Sequence, residues 1–366
     1  MIYYYKRKIE WNVSLYSTTK ICDEIRSGAF DSYNIRGMKI GMIPAFEFAS
    51  ATSIFDECQI RYTEIIDIAK KLSSETWSFE VACNFEWKKR NLTVQHFAHY
   101  TVSIFFMGNA VDYISVYTAD DLLKKVLLLE IKFSQFNNST QYEFHADRMP
   151  YSVVFHNSAA ATFAHEVLGH ILEADNYYRY GYDSAIDLIR PLQIQIIDNP
   201  LIPQSPGFYI EDDMGIAAQR ALIVENGMIN TLIGCKKSDG LITNSLRREN
   251  YDNSCFPRMS NLIVGAPNVH TKNELSQYIQ IDKLSKCFIY HNKKVVEFNV
   301  EFSFFHNNCI DIPLKPFRLK YGVSDLLSKV SLIDGGDMEL RPIQCAKHNQ
   351  VISCGASSPD WMVNHE

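Results

Sequence analysis

Two histidines and a glutamate within residues 165–170 are the side chains of this sequence best suited to chemistry. His165 and Glu166 are adjacent, and His170 follows His165 by five residues. Neutral imidazoles bind zinc, which acidifies a bound water and polarises a carbonyl, while a glutamate accepts the proton of the water and passes it to a leaving amine. These residues indicate metal-assisted hydrolysis, with His165 and His170 as metal ligands and Glu166 as general base.

The spacing of the two histidines constrains the backbone between them. In the familiar HExxH pattern the histidines are four residues apart and lie about 40° apart around a helix. A separation of five residues in a regular α-helix turns the imidazoles about 140° apart. Both reach one metal ion if the helix ends at Gly169, which leaves helical geometry readily, or if it widens into a π-bulge. The sequence allows both geometries.

The six-residue pattern alone also has a simpler interpretation. A helix in a long chain can carry His-Glu-His by chance, as a surface glutamate between two hydrogen-bonded histidines. The metal hypothesis therefore needs support from other parts of the sequence.

The motif is predicted to lie on a helix that follows a short strand. Residues Ser152 to Phe155 form a short apolar strand, and Ser158 is placed to cap a helix that continues with three alanines. From Ile194 onward the sequence is predicted to be mainly β, with turns such as Glu225-Asn226-Gly227 between extended segments.

The first part of the chain mixes helices and strands. Apolar periodicity predicts a helix over Tyr62–Leu72, and β-branched and aromatic residues predict strands over Val94–Phe106 and Val111–Tyr117. Asp120 and Asp121 are placed at the start of a second helix.

These patterns predict an α+β protein with two domains. Residues 1–150 are expected to form an N-terminal α/β-type domain of mixed helices and strands. Residues 151–366 are expected to form a β-rich C-terminal domain, with the candidate metal-binding helix at the junction.

Composition limits the classes of function. The 366 residues carry a net charge of -6, which argues against a protein that mainly binds nucleic acid. The sequence shows no signal peptide and no apolar segment of membrane-spanning length. Its nine cysteines form no CxxC pair, which favours a reducing compartment. We therefore expect a cytoplasmic protein without membrane or nucleic-acid partners.

Three ordered segments of the sequence resemble the TldD/PmbA family of metallopeptidases. VVFHNSAAATFAHEVLGHILEAD at 153–175 is similar to its metal-binding helix. The segment at 211–240, with an ENG hairpin, and NSLRRENYDNSCFPRMSNLIVGAPN at 244–268 are similar to two further family segments. Three matches over more than a hundred residues are more specific than one metal motif.

The resemblance implies a zinc ion held by the two motif histidines and a cysteine in a C-terminal Cys-Gly segment. Ser353-Cys354-Gly355 matches that segment, so Cys354 is the predicted third ligand. Cys345 is the competing candidate, although its neighbours do not match the family segment. Three protein ligands leave a fourth position for water, as catalysis requires.

Other side chains have candidate roles around the site. Glu173 is placed to hydrogen-bond a ligand imidazole, with a solvated helix-end carboxylate as the alternative. Arg258 is a candidate to bind a peptide carbonyl or carboxylate, although a structural salt bridge is the favoured interpretation. The acidic group at 211–213 is expected to be structural or to line the substrate site. One further group fits no metal-binding spacing and is expected to pack or face solvent: Cys287, His291, His306 and Cys309.

The function implied is zinc-dependent hydrolysis of small or unfolded peptides, with processing of leader or modified peptides in a natural-product pathway as one role. The resemblance also implies a homodimer or a heterodimer with a related subunit. Two alternatives remain. One is a non-catalytic, zinc-holding partner subunit, which retention of Glu166 disfavours, and the other is a zinc amide hydrolase that acts on a non-peptide metabolite.

Overall fold

The structure is a computed structural model, and it describes most of the chain. The described residues are 2–30, 39–41, 45–90, 93–116, 118–137, 142–143, 151–235, 245–249, 253–265, 275–307, 310–333 and 338–364.

The α-helices are α1 (Ala45–Leu72), α2 (Ala119–Asn137), α3 (Ser158–Phe163), α4 (Ala174–Tyr180), α5 (Asp183–Asp187) and α6 (Val323–Lys329). The strands are β1 (Ile2–Val13), β2 (Thr18–Phe30), β3 (Lys39–Gly41), β4 (Trp77–Arg90), β5 (Thr93–Phe106), β6 (Asn109–Val116), β7 (Ser152–Phe155), β8 (Gln195–Asp198), β9 (Ala221–Glu225), β10 (Met228–Ile229), β11 (Leu246–Arg247), β12 (Phe256–Pro257), β13 (Asn261–Gly265), β14 (Gln277–Tyr290), β15 (Val295–Asn307), β16 (Ile310–Pro313), β17 (Phe317–Gly322), β18 (Val330–Ile333), β19 (Arg341–Lys347), β20 (Gln350–Ser357) and β21 (Asp360–Val363).

A six-stranded antiparallel sheet with two helices forms the N-terminal part, in the order β3-β2-β1-β4-β5-β6. Helix α1 packs on this sheet through buried residues such as Phe55, whose ring lies 5.4 Å from that of Phe85. The predicted helix over Tyr62–Leu72 is the C-terminal part of α1. The earlier turns of α1 lack a clear apolar stripe because small and polar residues interrupt it.

Two larger sheets with a helix between them form the core of the remaining fold, and β11 and β12 form a separate two-stranded sheet. One sheet has the order β10-β9-β8-β13-β20-β19, and the other has the order β16-β15-β14-β7-β21-β18, with β17 also paired to β15. Phe163 of α3 packs on Phe155 and Trp361 of the second of these sheets. Gly169, one turn later, lies against Met259 and Leu262 beside the first. Both sheets therefore pack against the helix, and the residues that it buries between them are mostly apolar.

The mixed α+β class predicted from the sequence is confirmed. Strand β7 has the predicted bounds, whereas Ser158 does not cap α3: Asn157 occupies the cap position, and the Ser158 hydroxyl donates to the carbonyl of Asp282 at 3.0 Å. The predicted strand over Val111–Tyr117 corresponds to β6, and Tyr117 itself lies outside the described residues.

Buried apolar residues form two clusters. One joins the N-terminal sheet and its helices to Phe302 and Phe304 of β15, and the other fills the space between the two later sheets. A boundary at residue 150 stays a prediction, since residues 144–150 lie outside the described part. None of the described helices combines the length and hydropathy needed to cross a membrane.

Candidate metal centre

A π-helical turn positions the two motif histidines. Residues Ala164–Gly169 are π-helical, and the N–H of His170 donates to the carbonyl of His165, five residues earlier, at 3.1 Å. The wider turn returns a residue five positions later to the same side of the helix. The two imidazole ring centroids are consequently 5.0 Å apart. Of the two geometries that the sequence allowed, the structure has the π-helical one.

Gly169 has a different role from the one predicted. The helix continues through this position into His170, whose φ of -67° and ψ of -29° are ordinary helical values. A Cβ atom on Gly169 would lie 1.9 Å from Sδ of Met259 and 3.2 Å from Leu262. The glycine is therefore required for the close approach of the helix to the segment that leads into β13.

Three buried side chains converge beside this turn. One ligand atom from each of His165, His170 and Cys345 lies within 4.8 Å of the other two. His165 and Cys345 are fully buried, and His170 is 5% exposed. Nε2 of His170 lies 3.6 Å from Sγ of Cys345. Two imidazoles and a thiolate are a ligand set that suits zinc.

The polar atoms of these residues fit a bound metal ion. Both ring nitrogens of His165 are buried and have no hydrogen-bond partner among the described residues. A buried polar group left unpaired costs about 1–3 kcal/mol, a cost that metal ligation removes. Nδ1 of His170 lies 3.0 Å from Oε2 of Glu173, which leaves Nε2 to face His165 and Cys345. A carboxylate on the outer nitrogen is the usual arrangement for a metal-binding histidine.

The predicted third ligand, Cys354, is not part of this group of three. In the β19–β20 hairpin, Cys345 pairs with Ile352 and Ile343 pairs with Cys354. Paired residues and residues two apart share a face of a sheet, so both thiols point to the same face. Sγ of Cys354 instead lies 3.1 Å from the carbonyl of Met259. The Cys-Gly resemblance could not distinguish the two thiols, because both lie on the same face of the hairpin and differ only in their position along it.

The two thiols differ in the direction of their pKa shifts. Burial raises the pKa of Cys345, but its hydrogen bond with Cys354 and the charges of His170 and His165 outweigh burial and bring that pKa well below its usual value. Burial and the interaction with Cys345 raise the pKa of Cys354 well above its usual value. Cys345 is therefore the thiol that ionises, as metal binding requires.

A buried ion-pair network supports His170 from behind. The fully buried Glu173 receives hydrogen bonds from Asn176 at 3.0 Å and from the Lys347 ammonium at 2.8 Å. Lys347 also contacts Asp175 at 2.7 Å. Glu173 thus contacts the imidazole, which is one of the two roles considered for it from the sequence. Through Lys347 it is also joined to the strand that carries Cys345.

Glu166 lies at the accessible side of the centre. Its Oε2 is 3.7 Å from Nε2 of His170, and its side chain is 17% exposed. Burial raises the pKa of Glu166, although the nearby His170 and His165 lower it in part. A partly desolvated carboxylate with a raised pKa is suited to accept and release a proton near neutral pH.

Two arginines, of which Arg247 is partly buried, hold the cysteine strands in place. Arg258 is fully buried and donates through Nη2 to the carbonyl of Cys345. Arg247 donates to the carbonyls of Met259 at 2.7 Å and Ser353 at 3.0 Å. Arg258 therefore contacts the backbone of the candidate ligand and no accessible surface, which argues against the substrate-binding role considered for it.

A cavity of about 720 Å³ opens onto Glu166 and His170. Its walls include residues 341–344 and 346–348 of the β19 region, residues 283–289 of β14, and Tyr113 of β6. The amide of Gln344 donates to the Tyr113 hydroxyl at 2.8 Å, so the N-terminal sheet contributes one wall.

The remaining candidates have other surroundings. Asp212 accepts backbone hydrogen bonds from Met214 and Ile216, and Asp213 accepts one from Arg248, so both carboxylates stabilise local loops. Cys287 and His291 line the cavity, whereas Nδ1 of His306 pairs with Asp311 and Cys309 lies outside the described residues. Nothing in the sequence pattern marked His291 as a cavity residue.

Comparison with known proteins connects this geometry to a family. The sequence model of the PmbA/TldA metallopeptidase C-terminal domain matches residues 148–355, which include the π-helical turn and both cysteines. The chain belongs to this family. The match accounts for more than half of the chain and contains all three converging side chains.

Curated relatives of this family member are distant metalloproteases. A metalloprotease of Archaeoglobus fulgidus is 24% identical over 227 residues, 57% of this chain and 50% of the relative. A metalloprotease of Methanocaldococcus jannaschii is 26% identical over 221 residues, 56% of this chain and 48% of the relative. The match therefore spans about half the length of these relatives.

A solved structure shows the same fold over almost the whole chain. TldE from Thermococcus kodakarensis superposes with a TM-score of 0.64 and 11% sequence identity, and the superposition covers 99% of this chain and 96% of that protein. At this identity the likeness concerns the fold alone. The N-terminal sheet, which lies largely outside the family match, thus also has a counterpart in a known structure.

Proposed function

We propose that the chain is a zinc-dependent metallopeptidase that hydrolyses small or unfolded peptides. The observation that carries the proposal is the convergence of His165, His170 and Cys345 beside Glu166, at the wall of a large cavity. In this assignment the two histidines and Cys345 hold the ion. Cys354 is a neighbouring thiol that hydrogen-bonds to Cys345 and does not itself hold the ion. The bound zinc would supply polarisation of the substrate carbonyl and of a water molecule.

Glu166 is the proton carrier in this proposal. Its partial exposure gives it access to a water molecule in the cavity, and its raised pKa allows it to take a proton and release it to the leaving amine. A structural metal site requires no such carboxylate, so Glu166 favours an enzyme over a non-catalytic partner subunit.

Strand edges in the cavity favour an extended peptide as substrate. Among the described strands, β19 pairs only with β20, and the part of β14 after Ile281 pairs only with β15. Both unpaired edges line the cavity. An extended peptide can pair its backbone with such an edge, whereas most of the backbone of a folded protein is already hydrogen-bonded within its own helices and sheets.

The proposal extends to the compartment, the oligomeric state and the cellular role of the enzyme. We place the enzyme in the cytoplasm, as a homodimer or as a heterodimer with a related subunit. Trimming of leader or modified peptides in a natural-product pathway is one role that this substrate class suits.

Hydrolysis of an unstructured peptide tests the proposal when metal content is measured in parallel. Glu166→Gln should keep the metal of the wild type and lose turnover by at least about 100-fold, because the ligands remain and the base is gone. Glu64→Gln, an exposed glutamate on α1, is the matched control and should keep full activity. A wild type that binds zinc but cleaves no peptide would contradict the proposal, and small amides would then be the substrates to test.

A further inference from the structure

His291 occupies a fixed position on the wall of the catalytic cavity. It begins the 3-10 turn His291–Lys293 between β14 and β15, and it lines the same cavity as Glu166 and His170. Its ring is stacked on Tyr180 with centroids 5.0 Å apart and an interplanar angle of 11°. Its Nδ1 lies 2.8 Å from the hydroxyl of Tyr182.

The tyrosine contact fixes which ring nitrogen of His291 carries the proton. Tyr182 is fully buried, and burial raises the pKa of its phenol, so the hydroxyl is protonated at neutral pH. Nδ1 of His291 is the only acceptor that this hydroxyl has among the described residues. The O–H therefore donates to Nδ1, which must be unprotonated.

The remaining nitrogen of His291 is a neutral donor. Burial, with a smaller contribution from His170, lowers the pKa of His291 to about 4, so the ring is uncharged at neutral pH. A neutral imidazole carries one proton, which here is on Nε2. Tyr180 stacks on one face of the ring and Tyr182 contacts Nδ1, so Nε2–H is the remaining polar group of a ring whose residue lines the cavity.

We propose that His291 is a catalytic residue of this peptidase, and that its Nε2–H donates a hydrogen bond to the carbonyl oxygen of the scissile peptide bond. When water adds to the carbonyl carbon and passes one proton to Glu166, the π electron pair of the C=O bond moves onto that oxygen. The Nε2–H bond stabilises the negative charge and stays intact, so no proton is transferred at this position. The inference rests on the proposed function and names the group that stabilises its oxyanion.

Tyr182 is a positioning residue in this proposal. Its hydroxyl holds the imidazole in the tautomer that presents Nε2–H, and the Tyr180 ring holds the plane of the imidazole. Loss of the hydroxyl would free the imidazole to place its proton on either nitrogen. Such a change should lower turnover less than loss of the imidazole itself.

The test compares three variants by turnover of an unstructured peptide, KM and metal content. His291→Leu should lower kcat by about 100-fold, since one oxyanion donor contributes roughly 10²–10³ in kcat, while KM and metal content stay near wild type. His291→Gln, whose amide N–H reaches about the position of Nε2, should retain more activity than His291→Leu. Tyr182→Phe should lower kcat by several-fold, and Tyr178→Phe, an exposed tyrosine nearby, should change nothing.

Three results would overturn the assignment of His291. These are wild-type turnover in His291→Leu, equal losses in His291→Leu and His291→Gln, and an effect on KM alone. Each leaves the proposed peptidase activity intact, because the wild type still cleaves the peptide. If His291→Leu fails to fold, Tyr182→Phe tests the same donor, and unchanged kcat there would overturn the proposal. A wild type without peptidase activity would remove both proposals together.

Discussion

Two buried thiols face the same side of the β19–β20 hairpin, and the choice between them decides the metal centre. Cys345 lies within reach of both histidines, whereas Cys354 is held by Met259 and lies 3.4 Å from a guanidinium nitrogen of Arg247. Burial and the neighbouring Cys345 raise the pKa of Cys354 and outweigh the opposite effect of Arg247, which disfavours the thiolate at this position.

Serine substitutions separate the two cysteines. Cys345→Ser should weaken zinc binding by more than about 100-fold, because a lost ligand costs more than a lost outer contact. Cys354→Ser should keep metal content near wild type, since a hydroxyl can replace its bond to Met259. Metal titration against a chromophoric chelator measures both. The reverse result would return the ligand role to Cys354.

Substitution of Glu173 tests whether the carboxylate that contacts His170 supports the metal centre. Glu173→Gln removes the charge that orients the imidazole and takes one carboxylate away from the Lys347 ammonium, which keeps its contact with Asp175. Zinc affinity should fall by about 10–100-fold. Glu225→Gln, an exposed glutamate of β9, serves as the control in the same titration. Equal affinity in wild type and Glu173→Gln would show that this carboxylate does not support the centre.

At the scale of the element, the π-helical turn depends on close packing. Gly169→Ala would place a methyl group against Sδ of Met259, and overpacking of this kind costs about 1–3 kcal/mol. We expect a lower urea midpoint and weaker zinc binding together, because the displaced turn carries both histidines.

Gly265→Ala is the control for that substitution. Gly265 lies on β13, has no atom within 4 Å of an added Cβ, and has no positive φ. The free energy of unfolding of Gly265→Ala, measured by urea unfolding, should differ from that of the wild type by less than about 0.5 kcal/mol. If Gly169→Ala were as stable as Gly265→Ala, close packing would not account for the glycine.

Local sequence signals were sufficient for the elements and for the histidine pair, but not for the third ligand. Apolar periodicity and β-branched residues predicted the C-terminal part of α1 and most of β5, β6 and β7, since these patterns reflect burial of one face. The π-helical turn was one of two geometries that the sequence left open, and the local pattern of residues could not distinguish them. The position of Cys345 depends on hairpin register and on contacts between distant residues, which local patterns do not encode.

At the scale of the whole molecule, the site is assembled from both parts of the chain. The π-helical turn and the hairpin carry the candidate ligands, while Tyr113 of the N-terminal sheet completes the cavity wall. Arg341 of β19 also reaches Asp112 of β6, with their closest atoms 3.3 Å apart. The orientation of the N-terminal sheet therefore affects how much of the cavity is open to a substrate.

Buried Asp212 gives the folded state a defined pH dependence. Burial raises the pKa of its carboxyl from 3.8 to about 6. Between these values the folded state binds more protons than the unfolded state, so this contribution to the free energy of unfolding falls as the pH rises. From pH 5 to pH 7 the loss is about 1 kcal/mol.

This pH dependence is measured by urea unfolding of the wild type and of Asp212→Asn at pH 5 and at pH 7. The stability of the wild type relative to the variant should be greater at pH 5 than at pH 7. Asp56→Asn, an exposed position on α1, should show no such change. A pH-independent difference for Asp212→Asn would contradict the role given to its burial.

The most direct test of the central claim is the zinc content per chain, measured by elemental analysis on the wild type and on His170→Ala. The account predicts one zinc per wild-type chain and none in the variant, with hydrolysis of an unstructured peptide lost together with the metal. Absence of zinc from the wild type after reconstitution, or full retention in His170→Ala, would contradict a metal centre at His165, His170 and Cys345.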